Sequence, residues 1–251
     1  MSAGPAGVEP LYAPTGPGVD PAGFGLLERI HRRGGPGLLD RVRRRRELLA
    51  LHEAGLIDGR SRLRASGARY LDNVGAGPAW TVTGRYLDSH STLSLWFGDG
   101  GATVLAGPSA EELRPGAVPG IADDAMQRLD LVRSSEAPST VCAWAGVRPV
   151  APLLAGPAAL PLDEFEARAA GRHDGPGPEG LGALWEGPWF VWDVATSDGA
   201  MLGFINAGRA GHCAFGVADD GSRGAEVRLA PIDSGRIWRL LAGLVRSGSE
   251  T

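Results

Sequence analysis

Two stretches of the chain share one order of apolar and polar segments. Each opens with a Gly-Pro step, at Gly77-Pro78 and again 110 positions later at Gly187-Pro188. Aromatic and β-branched runs follow each step, and such runs are typical of β-strands. Because the same element types recur in the same order, the pattern predicts two similar half-domains related by a pseudo-two-fold axis. The matched runs are residues 79–83 with 189–192, and residues 93–97 with 202–206.

The first half is predicted to contain three antiparallel strands and a closing helix. The turn Gly98-Asp99-Gly100-Gly101 separates two alternating runs. Its Asp-Gly step favours a tight hairpin, because such residues adopt positive φ at low cost. The closing helix is predicted at residues 122–133, where Leu129 matches Leu240 near the C-terminus. The predicted strands are residues 80–87, 92–97 and 102–106, with a turn at residues 88–91 between the first two.

The second half is predicted to repeat this plan. A strand at residues 140–147 and a helix at residues 162–170 precede the repeated strands. The final helix is predicted to begin with Ser234 as its N-cap and to bury a face of core-spaced residues. The predicted strands are residues 189–195, 201–206, 212–217 and 226–229, and the core-spaced residues are Ile237, Leu240, Leu241 and Leu244.

The expected fold class is α+β, with two pseudo-two-fold-related halves, each a mostly antiparallel sheet packed with helices. Gly and Pro recur at short intervals in residues 1–20, which favours a flexible N-terminus. A helix is predicted at residues 38–54, with its apolar side buried. That apolar side comprises Leu38, Val42, Leu48, Leu49 and Leu51. The predicted organisation is a single domain at residues 21–246 with halves at about 38–133 and 139–245, followed by a flexible tail at residues 247–251.

Composition narrows the classes of partner. The net charge of -4 and the pI of about 5.8 give the chain as a whole no attraction to nucleic acid or to anionic membranes. There is no apolar run of about 18 residues and no signal-peptide pattern, which predicts a cytoplasmic protein. The two cysteines, Cys142 and Cys213, lie in apolar runs and are expected to be buried free thiols.

One basic cluster stands out against this composition. It consists of Arg41 and the four consecutive arginines at residues 43–46. On a helix these side chains wrap much of the circumference, which favours a solvated helix face over a nucleic-acid patch. The order helix, strand, helix over residues 38–73 nevertheless fits a winged-helix DNA-binding regulator, which is the alternative hypothesis for function.

The sequence contains no adequate active site. The histidines are scattered and lack metal-binding spacing, and the acidic pairs are adjacent residues whose side chains point apart. The Gly-rich turns lack the strand-loop-helix setting of a phosphate loop. We therefore predict a protein without catalysis, metal or cofactor. The histidines are His31, His52, His90, His173 and His212, and the acidic pairs are Glu111-Glu112, Asp123-Asp124 and Asp219-Asp220.

The two copies differ most in their aromatic residues. At the 110-residue offset, one strand face carries Thr81, Thr83 and Arg85 in the first copy. The same face carries Trp189, Val191 and Asp193 in the second copy. An exposed Trp189 would suit a protein-binding surface, and burial of Trp189 under a neighbouring helix is the alternative. We include Trp189 and Val191 among the candidate partner-binding residues.

Two segments resemble a known family. Residues 47–59, Glu-Leu-Leu-Ala-Leu-His-Glu-Ala-Gly-Leu-Ile-Asp-Gly, with the hairpin that follows, are similar to the front half of the EspG family. The ending, from residues 215–222 through Ile232-Asp233-Ser234-Gly235-Arg236, resembles the last strands and closing step of that family. EspG proteins are cytosolic chaperones of ESX (type VII) secretion in actinobacteria. The Gly/Pro-rich N-terminus and the cluster of Trp185, Trp189 and Trp192 depart from the family pattern.

The resemblance implies a function by binding alone. Such a chaperone holds a secreted helical substrate of the PE/PPE-like or WXG-like type in the cytoplasm, covering an apolar helical tip with its sheet face and a hairpin loop. The resemblance carries over to the turn between the first two strands. The candidate partner-binding residues are therefore Asp88, Ser89, His90 and Ser91, together with Trp189 and Val191.

Overall fold

A computed structural model of the chain describes residues 11–99, 101–114, 126–150, 156–172, 175–219 and 225–248. Within these residues, ten strands form one antiparallel sheet, with helices on both of its faces, which confirms the α+β class. The strands are β1 (Gly18–Val19), β2 (Ala79–Tyr86), β3 (Ser89–Gly98), β4 (Gly101–Ala106), β5 (Gln127–Val132), β6 (Ala158–Pro161), β7 (Phe190–Thr196), β8 (Met201–Asn206), β9 (His212–Asp219) and β10 (Ala225–Ile232). The helices are α1 (Pro21–Arg33), α2 (Leu38–Arg43), α3 (Arg45–Glu53), α4 (Ala65–Leu71), α5 (Ala137–Trp144), α6 (Leu162–Ala169), α7 (Ala183–Glu186) and α8 (Ser234–Gly248).

The strand order is symmetric about the pair β2 and β7. Strands β3, β4, β5 and β1 follow on the side of β2, and strands β8, β9, β10 and β6 follow on the side of β7. Each arm ends in a short strand that leads directly into a helix, β1 into α1 and β6 into α6. Each arm also sends its fourth long strand into a helix, β5 into α5 and β10 into α8. The two arms therefore have the same order of strands, although four helices (α1 to α4) precede β2 and two (α6 and α7) precede β7.

This order shifts the boundaries of the repeat from those expected. The corresponding elements run from β1 to α5 and from β6 to α8, instead of residues 38–133 and 139–245. The first repeat includes α1, and α5 belongs to it as the counterpart of α8. Helices α5 and α8 pack against each other across the middle of the sheet.

One face of the sheet, which we call the closed face, is covered at its centre by α5 and α8. Alternate residues of both central strands enter one core there, including Trp80 and Val82 of β2 and Phe190 and Trp192 of β7. Val141 of α5 and Ile237 of α8 belong to the same core. Since this core takes residues from both arms, the two halves share their main hydrophobic stabilisation.

The other face, which we call the open face, carries two separate helical layers. Helices α1, α3 and α4 pack on the outer strands of the first arm, where Leu27 and Leu51 meet Leu105 and Leu129. Helix α6 and the segment around α7 pack on the second arm, where Phe165 meets Val227. The sheet between these layers has no helical cover among the described residues.

Two predicted elements have the opposite type. The predicted helix at residues 122–133 lies partly outside the described residues, and its remainder is strand β5, in which Leu129 pairs with Leu105. The alternation of Leu129 with Arg128 and Asp130 is the two-residue period of a strand. The predicted strand at residues 140–147 is largely helix α5. There Pro138 occupies the first turn, which suits proline because no intrahelical N–H is needed.

The predicted flexible N-terminus is wrong for residues 11–20. Strand β1 pairs with β5, and the Leu129 amide donates to the Pro17 carbonyl at 3.0 Å. A Cβ atom at Gly16 would lie 1.5 Å from the Leu129 carbonyl oxygen, so glycine there permits close backbone contact instead of flexibility. Residues 1–10 lie outside the described residues. At the other end α8 continues to Gly248, within the predicted tail, and Asp233 caps it by accepting from the Arg236 amide at 2.8 Å.

The predicted helix at residues 38–54 is two helices, α2 and α3, separated at Arg44. Only part of its predicted apolar side is buried. Leu51 is buried and Leu48 is half-buried, whereas Leu38, Val42 and Leu49 are exposed. No residue of α2 is buried, so this helix contributes little to the core.

The loop after α5 is tied to the second arm by buried polar groups. Asn206 Nδ2 donates to the carbonyls of Ala145 and Gly146 at 2.7 and 2.8 Å. His212 Nε2 lies 2.9 Å from the Arg148 carbonyl, to which it donates in the tautomer protonated on Nε2. Its Nδ1 is buried without a hydrogen-bond partner among the described residues. Burial lowers the pKa of His212, partly offset by the hydrogen bond to Arg148.

The lowered pKa of His212 predicts a loss of stability in mild acid. As pH falls through about 6.5, the unfolded chain binds a proton at this histidine that the folded chain does not, so unfolding becomes more favourable down to the folded pKa. His212→Gln keeps an N–H donor but does not titrate, and its unfolding free energy should depend less on pH in this window. Urea unfolding at several pH values tests this, and parallel curves for the two proteins would contradict it.

Gly84 of β2 allows the central aromatic packing. A Cβ atom there would lie 2.3 Å from Phe190 Cζ and 2.8 Å from Trp144 Cη2. We expect Gly84→Ala to lower the unfolding free energy by about 1–3 kcal/mol, because the two rings must shift within a packed core. Gly216→Ala in β9 is the matched control, since its Cβ would meet no atom within 4 Å. Urea midpoints report both changes, and an unaltered midpoint for Gly84→Ala would count against this packing.

Candidate functional site

The uncovered middle of the open face is a band of polar residues on three adjacent strands, which we call the central strip. Thr83 of β2 pairs with Thr92 of β3 on one side and with Asp193 of β7 on the other. Thr81 pairs with Ser94 one step along the strands. All five side chains are exposed or half-buried. The strip therefore forms a polar floor at the junction of the two arms.

Among the residues that the structure describes, the helical layers reach the central strip only from opposite ends, which leaves it open. Trp96 lies two residues after Ser94 in β3, on the same face of the sheet. Its ring stacks with Phe24 of α1 at 5.8 Å between ring centroids. Val191, two residues before Asp193, is buried in the core under α6. Three strands, β3, β2 and β7, form the floor of the strip, which makes the floor about 10 Å wide at the usual strand spacing. This width accommodates one α-helix, which is about 10 Å across.

The hairpin between β2 and β3 borders one end of the strip. Its turn consists of Leu87 and Asp88, since Tyr86 pairs with Ser89. The turn is therefore shorter than predicted, and His90 lies in β3 with its side chain exposed. Leu87 has φ 53°, a left-handed conformation that is costly for a branched residue. Ser91, the last residue of the predicted turn, is buried and faces the closed face beside Gly107.

Two contacts hold this hairpin against the second arm. Arg85 Nη1 donates to Glu166 Oε2 of α6 at 2.7 Å. A Cβ atom at Gly171, just after α6, would lie 2.6 Å from Leu87 Cδ2, so the leucine rests on that glycine. The ion pair is partly exposed and adds little stability, but together the contacts fix where the turn projects beside the strip.

Trp189 and Val191 do not lie on an accessible surface. Their exposed fractions are 3% and 8%, which contradicts the expectation of a surface-exposed tryptophan and supports the burial alternative. Trp189 Nε1 donates to the Leu184 carbonyl at 2.7 Å, and its ring meets Trp185 edge-on at 5.5 Å. Phe165 of α6 covers it at 5.8 Å. Trp189 is therefore part of the second arm's core.

The same core contains a buried arginine, which the sequence did not single out. Arg168 of α6 lies over the Trp189 ring at 4.7 Å and donates through Nε to the Trp185 carbonyl at 2.9 Å. It also donates to the Gly187 carbonyl. Burial lowers the pKa of Arg168. These bonds satisfy carbonyls where α7 ends and fix the start of β7.

Asp193 is the acidic residue of the central strip. Among the described residues its carboxylate makes no hydrogen bond and no ion pair, and burial raises its pKa. A half-buried carboxylate without a partner destabilises a fold, so its presence is informative. The sequence analysis placed Asp193 on this face but did not include it among the candidate partner-binding residues. The available signal was one acidic residue inside the apolar run from Phe190 to Val194.

The described residues show no grouping suited to metal or thiol chemistry. No three histidine, cysteine or carboxylate side chains among them are placed to hold a metal ion. Cys142 and Cys213 are buried, and burial raises the pKa of each to about 12, so both are thiols at neutral pH. His90 and His212 lie on opposite faces of the sheet. The absence of catalysis stays a prediction.

In the described residues 38–73, to which the DNA-binding alternative applies, the order is helix, isolated bridge, helix. Between α3 and α4 the structure has one isolated bridge, from Ile57 to Leu63, in place of a hairpin. Leu56 and Leu71 anchor this region in the core under the sheet.

Within the ranges that the structure describes, no helix has the length and apolar character needed to cross a bilayer.

The unpaired carboxylate of Asp193 predicts that its removal stabilises the protein. A raised folded pKa penalises the ionised form, and stability falls as pH rises from about 3.8 through that pKa. Asp193→Asn should therefore raise the unfolding free energy at neutral pH, by less than about 1 kcal/mol because solvent screens a half-exposed group. The gain should vanish in acid. Asp88→Asn, at an exposed carboxylate, is the control, and a neutral or destabilising Asp193→Asn would refute the assignment.

Comparison of the chain with models of known protein families and with curated proteins finds no match. The central strip and the hairpin beside it are therefore the features on which a function can be argued.

Proposed function

We propose that this protein is a cytosolic chaperone-like binding protein of the EspG type, which holds a PE/PPE-like or WXG-like helical substrate of type VII (ESX) secretion without catalysis. The observation that carries the proposal is the central strip. It is a sheet face that no described helix covers, between two helical layers, with the β2–β3 hairpin fixed beside it. The similarity of residues 47–59 and of the C-terminal segment to that family adds support.

The dimensions and chemistry of the strip favour a helical partner. A floor of about 10 Å receives one helix end or the tip of a helical hairpin. Thr83 and Thr92 present hydroxyl groups, and Asp193 presents an unpaired acceptor. A carboxylate stabilises the N-terminus of a helix, where backbone N–H groups are free. The partner's helix tip therefore contributes N–H donors or a basic side chain to Asp193.

Apolar contacts are available at the margins of the strip. Leu87 at the hairpin turn is 38% exposed, and Met201 of β8, which pairs with Ala195, is 71% exposed. An apolar helical tip would contact these residues while its polar groups meet the floor. Because Leu87 is held by Gly171, it offers this surface without losing much conformational freedom.

The residues proposed for partner binding change accordingly. Asp88, Ser89 and His90 remain candidates at the hairpin. Ser91, Trp189 and Val191 are buried and act through the scaffold. The strip residues join the candidate site. They are Thr81, Thr83, Thr92, Ser94 and Asp193.

Co-expression tests the proposal. A PE/PPE-like or WXG-like protein from the same genome should co-purify with this chain as a defined complex. Thr92→Arg places a long cation on the exposed floor and is expected to weaken the complex by about tenfold or more, because it blocks the surface and opposes a basic partner group. Ala230→Arg, at an exposed position in β10, is the matched control for an added arginine in a strand. Thermal unfolding of both variants confirms that they fold.

Two results would reject the proposal. One is that no candidate substrate from the same secretion locus co-purifies with the wild-type chain. The other is that Thr92→Arg and Ala230→Arg bind a co-purifying substrate equally well, which would place the contact away from the strip.

A further inference from the structure

Helix α2 carries its apolar residues outward. Leu38, Leu39 and Val42 are 83%, 69% and 79% exposed, and no residue of α2 is buried. Asp40 is turned inward, where its carboxylate accepts from the Gly37 amide at 3.3 Å and lies 3.8 Å from Arg29 of α1. Apolar side chains of this helix thus face solvent and a charged one faces the protein, which is the opposite of a helix that packs on its own protein.

The angular order of these side chains is that of an interfacial helix. At about 100° per residue, Leu38, Val42 and Leu39 span an arc of about 100°. Arg41 and Arg43 flank this arc on its two sides, and Asp40 lies opposite. Helices that lie in the plane of a membrane surface have this arrangement, because arginine stems extend along the apolar layer while the guanidinium groups reach the phosphates.

The surroundings of α2 add positive charge. Arg41, Arg43, Arg45 and Arg46 are exposed, and none forms an ion pair within the described part of the chain. Arg32 and Arg33, at the end of α1, are also exposed. The acidic groups nearby are already engaged, since Asp40 and Glu47 lie within ion-pair distance of Arg44. The corner is therefore cationic although the whole chain has a net charge of -4.

We propose that α2, with Leu38, Leu39 and Val42 flanked by Arg41 and Arg43, docks on an anionic phospholipid surface. Charge complementarity favours this occupant over a neutral apolar one. The length of α2 disfavours a helix partner, because groove binding uses anchors through position i+7. Helix α2 has six residues and ends at Arg44, whose φ of -120° and ψ of 36° break the helix. Lipid binding by α2 does not depend on the function proposed for the central strip.

Vesicle co-sedimentation of the full chain tests the inference. Binding is expected to vesicles of equimolar phosphatidylcholine and phosphatidylglycerol, and to be at least about tenfold weaker to phosphatidylcholine alone. Added salt should weaken it, because the arginines act through screened charge. Equal binding to both vesicle types, or none to either, would overturn the proposal.

Variants locate the contact. Leu38→Ser with Val42→Ser should reduce partitioning by about tenfold or more, since two apolar side chains no longer enter the lipid. Arg41→Gln with Arg43→Gln should reduce the preference for phosphatidylglycerol. Val217→Ser is the matched control, because Val217 is 59% exposed in β9, outside α2. All replaced side chains are exposed, and circular dichroism checks the fold.

Two further outcomes would reject the lipid proposal. If the α2 variants sediment like the wild type, the proposal is wrong. If vesicles are not bound, but an acidic amphipathic peptide binds the wild type and not Leu38→Ser with Val42→Ser, the surface recognises a protein and the lipid proposal is likewise wrong.

Discussion

The antiparallel pairing of β2 with β7 is the constraint on which the rest of the structure depends. Its register runs from Trp80 opposite Thr196 to Tyr86 opposite Phe190. This pairing joins two arms of equal strand order into one sheet, so the residues on each face are fixed for both arms at once. A shift of one residue would exchange the aromatic core of the closed face with the polar floor of the open face. Gly84, opposite Trp192, leaves the space in which Phe190 and Trp144 meet at this junction.

The closed face of the sheet provides stability, and the open face provides the proposed binding surface. On the closed face, α5 and α8 meet each other over the junction and bury it. On the open face, no helix among the described residues covers the equivalent space, because each helical layer is anchored on its own arm. Antiparallel sheets often have one solvated face, but here that face lies between helices, with the unpaired carboxylate of Asp193 in its floor. A residue that lowers stability, as the unpaired Asp193 carboxylate does, is common at binding surfaces.

The sequence predicted most where one face of an element is polar and the other apolar. Alternation located β2, β3, β4, β8 and β9, and the helical period located α6 and α8. The strand matches in the repeat were less accurate: with Trp80 placed on Phe190, the register puts Leu95 on Asn206, two residues from the sequence match. A shift of two keeps every side chain on its face, so the pattern could not detect it.

The errors came from positions that long-range packing decides. Val141 and Cys142 favour a strand locally, yet Ala137, Val141 and Trp144 form a helical stripe that the sheet buries. Trp189 lost its expected exposure because Arg168 and Phe165 of α6 lie over it, and no local pattern reports that contact. The strip itself was visible as Thr81 and Thr83, but its openness depends on where two distant helical layers stop.

The short terminal strands of the sheet restrict how another molecule can engage it. Strand β1 has two residues and β6 has four, so each outer edge presents few free backbone groups in line. Sheets that end this way resist the addition of a further strand from another chain. Recognition through an added strand, and polymerisation edge to edge, are both disfavoured. Whatever binds this sheet must approach its face with side chains, which makes the identity of those side chains decide the partner.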